Sequence, residues 1–289
     1  MRKYFLIFVI AIVALEITLR LAGYSYKIVN MPRRRIDKRT FRILCIGEST
    51  TAGDGTYPDG PYPLQLEVLL NANSQGVKFQ AIYDYWLGVN SSKMLFNLPS
   101  YIKKYNPELI IAMIGANNWF NLDQSNILLY SENKIISKLT YKLLVFMHKF
   151  RLFKLIKFLY YTLTQYPLTG SWKPYDSANI PPHHKELYEN ILVYDLTEIV
   201  KICKSNNIKI VISGYPLNDY RKAHTKVAES QNIPFVDNWK SFKKLRDNGT
   251  LSEYLLEDNW HPNKKGYAII ANNIYTVLKN NRLIPISDE

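Results

Sequence analysis

Ser49 stands in a run of small residues, Gly47-Glu48-Ser49-Thr50-Thr51-Ala52-Gly53, while Asp258 and His261 stand three positions apart near the far end of the 289-residue chain. A serine hydroxyl is a poor nucleophile at neutral pH and needs an imidazole to take its proton. That imidazole needs a carboxylate on its other nitrogen to fix its tautomer and stabilise its cation. An acid three residues before a histidine can supply that bond on one turn, so Asp258 and His261 suit each other. Alone, each motif has a plainer reading: a serine in a Gly-rich loop is a turn residue, and an Asp before a helix is a cap.

Two further stretches carry groups that acyl transfer would use. Gly115-Ala116-Asn117-Asn118 and the glycine at Gly88 are candidates for an oxyanion hole, in which the Gly88 N–H and the Asn117 side-chain amide join the Ser49 N–H as donors. Each also has an ordinary reading as turn chemistry. This chemistry calls for no metal and no organic cofactor. His148, His183, His184 and His224 lack metal-ligand spacing with nearby acids, and Cys45 and Cys203 read as small core residues.

Such groups need a scaffold that brings distant loops to one edge. Residues 42–47 (RILCIG) form an apolar run ending in glycine, followed by a small-residue loop and the helical pattern Leu64, Leu66, Val68, Leu69, Leu70. Residues 78–83 predict a second strand, Asn90 or Ser91 caps a helix reaching about residue 105, and residues 108–114 (ELIIAMI) predict a third, doubly covered strand. A helix over 185–205, strands over 209–213 and 233–236, and a closing helix over 264–280 complete the pattern. Alternating strands and helices predict an α/β fold with a mainly parallel sheet between helices, whose binding sites gather beyond the carboxyl ends of the strands. Ser49, Gly88 and Asn117 all follow predicted strands.

With these blocks in place the sequence resembles the SGNH or GDSL-type serine hydrolases. The resemblance runs from Phe41 to about Asn281, with a gap in the middle. The first block, usually Gly-Asp-Ser-x-Thr-x-Gly, is matched by Gly47 to Gly53 with Glu48 in the Asp position. The third, Gly-x-Asn-Asp, is matched by Gly115 to Asn118 with Asn118 replacing the Asp. The last is matched by Asp258, His261, Pro262, Asn263, Gly266 and Tyr267. The second block lacks the Asn often found before the oxyanion glycine, and Gly88 is its candidate. The resemblance implies a three-layer flavodoxin-like fold, an acyl-serine intermediate on Ser49, and the oxyanion role of Asn117. It also implies that Glu48 and Asn118 alter local support without abolishing activity.

Composition sets the surroundings. With 47% hydrophobic and 21% charged residues a disordered chain is excluded, and two cysteines are too few for a disulfide framework. A formal charge of +13 favours polyanions, yet no zinc finger, basic zipper or RRM motif is present and the basic residues are interleaved with Ile, Leu, Phe and Tyr. That mixture suits a membrane surface, and no specific nucleic-acid partner is expected. Residues 4–22 would span roughly 28 Å as a helix, interrupted by Glu16 and Arg20, which are spaced to pair. Arg2 and Lys3 would also suit a signal peptide, but no small-x-small cleavage site follows. Residues 1–24 are therefore read as a transmembrane anchor, with a signal peptide as the rival reading of the same residues, 25–40 as a basic linker, and 41–289 as the hydrolase domain, with a basic apolar insertion at about 120–182.

No Asp or Glu occurs between Asn133 and Tyr175, and Lys134, Lys138, Lys142 and Lys149 share a helical stripe. This insertion reads as a cap or domain-covering helix, or as an interfacial helix seeking anionic lipid. Counting Lys and Arg beside the anchor places the domain in the cytoplasm, whereas the envelope-facing substrates of anchored members of the resembled family place it outside. The outside placement is adopted. The function expected is a membrane-anchored serine ester hydrolase or O-acyltransferase acting on O-acylated envelope glycans or lipids. The alternative is a catalytically silent, membrane-tethered binding or assembly module of the same fold.

Overall fold

The computed structural model describes residues 2–30, 36–53, 55–56, 60–83, 89–118, 143, 146–147, 149–164, 182–217 and 220–285. Along the chain lie α1 (Arg2–Asn30), β1 (Phe41–Gly47), α2 (Ser49–Ala52), α3 (Tyr62–Ala72), β2 (Phe79–Tyr83), α4 (Ser91–Tyr105) and β3 (Leu109–Met113). They are followed by α5 (Arg151–Thr164), α6 (Pro182–Ser205), β4 (Lys209–Ser213), α7 (Arg221–Gln231), β5 (Phe235–Val236), α8 (Asn238–Asp247), a 3₁₀ turn (Leu251–Tyr254) and α9 (Lys264–Asn280). Two compact units result: residues 1–35 with 120–179, and residues 36–119 with 180–289.

The larger unit holds a five-stranded sheet in the order β2-β1-β3-β4-β5, with every neighbouring pair parallel. Parallel strands are covered on both faces, which is why β3 is buried at all five positions. Residues alternate between the faces. Ile43, Cys45, Leu109, Ile111, Met113 and Val211 share a core with Tyr62, Leu66 and Leu70 of α3, Phe242 of α8 and Tyr267, Ile270 and Ile274 of α9. Leu44, Ile46, Ile110, Ala112 and Ile212, of opposite parity, are buried too, and α4 packs against α6 and α6 against α7. Strand order reverses between β1 and β3, which opens a crevice at their carboxyl ends, the place where such sheets bind ligands.

Strands and caps follow the sequence expectation closely. Asn90 accepts the Lys93 N–H at the start of α4, and α9 spans the predicted residues. Helix α6 begins at Pro182, three residues before the predicted 185, because proline suits a first helical turn. Helices α7 and α8 have no sequence expectation behind them. Their buried faces are Ala223, His224, Val227 and Ala228 in one and only Asn238 and Phe242 in the other, so small and polar residues hide the apolar stripe.

In the smaller unit, α1 runs on to Asn30, into the segment expected as linker, and α5 occupies part of the expected insertion. Residues 2–25 of α1 are long and apolar enough to cross a membrane. Lys134, Lys138 and Lys142 lie outside the described residues.

Candidate active site

β1 delivers Ser49 on a single turn of helix that ends at Gly53 in the left-handed conformation, whose N–H bonds back to the Ser49 carbonyl. The tightness of this turn explains the glycine that precedes it: a Cβ on Gly47 would lie 1.9 Å from Thr51 Oγ1 and 2.5 Å from the Met113 carbonyl oxygen. As the first residue of the turn, Ser49 has an N–H with no partner inside the helix.

The segment before α9 is equally constrained. Asp258 Oδ1 accepts the backbone N–H groups of Trp260 and His261, each at 2.9 Å, and Asn259, between Asp258 and Trp260, takes the left-handed conformation. The Leu256 N–H bonds the His261 carbonyl at 2.8 Å, while Asn263 caps α9 and donates to the Glu253 and Leu255 carbonyls. The remaining Asp258 oxygen, Oδ2, lies 2.5 Å from His261 Nδ1, and His261 Nε2 lies 2.8 Å from Ser49 Oγ. Burial opposes the charge on Asp258, but the bonds from the His261 ring and the two backbone N–H groups outweigh it, and its pKa falls below the ordinary value. Asp258 is exposed and Ser49 and His261 are half-buried, so this chain of groups opens to solvent.

Asn117 sits on the turn after β3, its side-chain amide donating to the Val89 carbonyl at 3.2 Å. Gly88 lies outside the described residues. Glu48 is fully buried, with Oε1 accepting the Gly115 N–H at 2.8 Å and Oε2 hydrogen-bonded to the Tyr215 hydroxyl. Burial pushes its pKa up to about 8, against the backbone N–H bonds that favour the anion. When protonated, Glu48 can donate to Tyr215, whose own proton then reaches the Met113 carbonyl oxygen 3.0 Å away. The neutral form thus satisfies every group in the line.

Asn118 accepts the Ser91 N–H at 2.9 Å and donates to Ser91 Oγ at 2.8 Å. The hydroxyls of Ser91 and Ser92 in turn donate to the buried Asp195 Oδ2, at 2.5 and 2.6 Å. His224, also buried, places Nε2 2.9 Å from the Ile114 carbonyl and Nδ1 2.8 Å from that of Tyr220, and desolvation holds its pKa down. Cys45 and Cys203 are buried free thiols, both with pKa raised by burial.

Sequence reasoning did not find Tyr215, Asp195 or His224 as parts of this framework. Tyr215 follows Gly214 just past β4, a position that could have flagged it. His224 gives no comparable signal, since it lies within a helix that reads as polar, whereas Asp195 stands on the apolar stripe of α6 among Ile191, Leu192, Leu196 and Ile199, where an acid calls for a buried partner. Among the described residues no cluster of His, Cys, Asp and Glu could hold a metal ion.

The sequence model of the GDSL-like lipase/acylhydrolase family matches residues 45–269. The chain belongs to that family. It is therefore an enzyme of ester bonds, an ester hydrolase or acyltransferase.

Solved structures share the fold of this family member at low sequence identity. The acetylxylan esterase Axe2 of Geobacillus stearothermophilus is 16% identical, with a TM-score of 0.53 over 84% of this chain and 96% of that one. A family 3 carbohydrate esterase of Clostridium thermocellum is 15% identical, with a TM-score of 0.51 and the same coverages, 84% and 96%. A lipase/acylhydrolase of Enterococcus faecalis is 15% identical, with a TM-score of 0.50 over 86% of this chain and 99% of that one. No curated protein matches significantly by sequence.

Proposed function

We propose that this chain is a membrane-anchored serine esterase or O-acyltransferase in which Ser49 is the nucleophile, His261 the general base and then acid, and Asp258 the group that orients it. The observation that carries this reading is the unbroken line Ser49 Oγ to His261 Nε2 at 2.8 Å and His261 Nδ1 to Asp258 Oδ2 at 2.5 Å. In the first half-reaction Ser49 Oγ bonds to the ester carbonyl carbon as its proton passes to His261 Nε2. The Ser49 N–H, the Gly88 N–H and the Asn117 amide receive the oxyanion. Collapse breaks the bond to the alcohol oxygen, which leaves with the proton from His261. Water or a second alcohol then gives its proton to His261 and attacks the acyl-serine carbonyl carbon, and collapse breaks the bond to Ser49 Oγ, which takes the proton back from His261.

The substrate class proposed is an O-acylated glycan or lipid of the cell envelope, met by a domain held outside the membrane through α1. The glycan option is supported by structural relatives that are esterases of acetylated xylan and carbohydrate. The membrane option is supported by the apolar length of α1, none of which is buried.

A fluorophosphonate probe tests the chemistry without knowledge of the substrate, since it labels only an activated serine. The intact chain is expected to label at Ser49, with Ser49→Ala and His261→Ala unlabelled. Absence of labelling in the folded intact chain would overturn the enzymatic assignment of these residues in favour of a silent binding module. A reporter fused to the carboxyl terminus reads out the side of the membrane.

A further inference from the structure

The acid in α1 is placed for a task that an anchor alone does not require. Glu16 is the one acid of α1 and interrupts its apolar span, and its carboxylate accepts two backbone N–H groups at the first turn of α5: Arg151 at 3.1 Å and Leu152 at 2.8 Å. Arg20, paired with Glu16 at 2.6 Å, donates to the Lys149 carbonyl oxygen, also at 2.6 Å. The pair thus serves as a helix cap supplied by another helix, meeting N–H groups that a helix start leaves without internal partners. Its charges are matched by each other and by backbone groups, so neither is carried toward lipid unsatisfied. Gly23 completes the fit, because a Cβ there would press to 3.3 Å against the Arg151 guanidinium.

What the clasp holds is a helix with charge segregated along its length. Arg151, Lys154 and Lys157 occupy the first half of α5, whereas residues 158–164 (FLYYTLT) carry no charge. Leu159 and Leu163 are exposed there, Leu163 at 83%, and exposed Phe146 and Phe150 precede the helix. The apolar residues of α1 are exposed alongside. Water is a poor partner for this surface, and a cationic rim beside it matches anionic headgroups.

We propose that α1 and α5 form one membrane-docking unit, clasped by Glu16 and Arg20, whose partner is a bilayer containing anionic phospholipid. The cationic first turns of α5 meet the headgroups, and its uncharged end enters the acyl region. This inference rests on the anchor reading of α1 and extends it to a second helix and a lipid class.

The test uses the full chain with an environment-sensitive NBD dye on Leu163→Cys, since Cys45 and Cys203 are buried. Vesicles of phosphatidylcholine, with and without phosphatidylglycerol, are compared. The chain should float with both, and phosphatidylglycerol should raise NBD emission severalfold and expose the dye to quenching by lipid-borne nitroxide. Lys154→Ser with Lys157→Ser should abolish the preference for the anionic vesicles. Glu16→Leu makes α1 more apolar, so a simple anchor would bind as well or better. With the clasp removed, the chain should still float while NBD emission drops toward that of lipid-free protein. An aqueous dye on floating wild-type chain, equal emission in both vesicles, or a silent Glu16→Leu would overturn the proposal while leaving the anchor standing. Failure to float with either vesicle would overturn the anchor as well.

Discussion

Gly115 donates its backbone N–H to the Glu48 carboxyl group at 2.8 Å, which ties the turn carrying Asn117 to the residue next to Ser49. Two loops that follow different strands are thereby held as one piece, and several consequences for the proposed chemistry can be measured.

The proposed roles rank the losses. Ser49→Ala and His261→Ala should each lower kcat/KM for an activated acetate ester by about 10⁴–10⁶-fold. Asp258→Asn should cost about 10⁴-fold, through the wrong imidazole tautomer, and Asn117→Ala about 10²–10³-fold. Steady-state kinetics on the purified full chain check the order, and a loss for Asn117→Ala as large as that for Ser49→Ala would contradict the donor role.

Glu48 sets a pH dependence of known sign. Its folded pKa, about 8, lies above its ordinary value of 4.5, so the folded state binds more protons than the unfolded one between these limits. The stability it contributes is present below 4.5 and is lost as pH rises through about 8. Glu48→Gln keeps a neutral group there and should flatten the decline in stability from pH 5 to pH 9, measured by urea unfolding. An alkaline loss of stability unchanged in Glu48→Gln would assign the effect elsewhere.

The third block of the family carries an Asp where this chain has Asn118, and the structure shows why restoring the acid should harm. The single hydroxyl proton of Ser91 already goes to Asp195, while Asn118 supplies an N–H to Ser91 Oγ. Asn118→Asp removes that donor and adds a second carboxylate to a buried cluster, at a cost of roughly 1–3 kcal/mol. Adding Asp195→Asn removes the like charge, so the double variant should be more stable than Asn118→Asp alone. Additive losses in chemical denaturation would refute the coupling.

Gly47→Ala and Gly249→Ala separate close approach from backbone conformation. At Gly47 a Cβ meets Thr51 and the Met113 carbonyl inside normal contact distance, so the nucleophile turn must shift, with a stability loss of about 1–3 kcal/mol and a large drop in turnover. At Gly249, with φ +72° and open space around it, the cost is about 1–2 kcal/mol of left-handed backbone with turnover intact. Equal activity in the two variants would count against the account of the Ser49 turn.

Local signals were enough for much of this protein. Continuous apolar runs marked β1, β3 and β4, because a doubly covered parallel strand has no solvent face to alternate with. The cap at Asn90 and the span of α9 were readable from side chains that bond the nearest backbone. The Asp258-to-His261 spacing foretold their bond, since it closes within one turn. The separation of Ser49 from His261, by contrast, depends on β1 and the α9 segment meeting at one sheet edge, which the strand order decides. Tyr215 beneath Glu48, Asp195 beneath Ser91 and Glu16 at the start of α5 join residues that sequence places 167, 104 and 136 positions apart. No local propensity records such pairings: a buried polar group is fixed by whichever partner the packed chain brings within reach, and only the folded arrangement determines that partner.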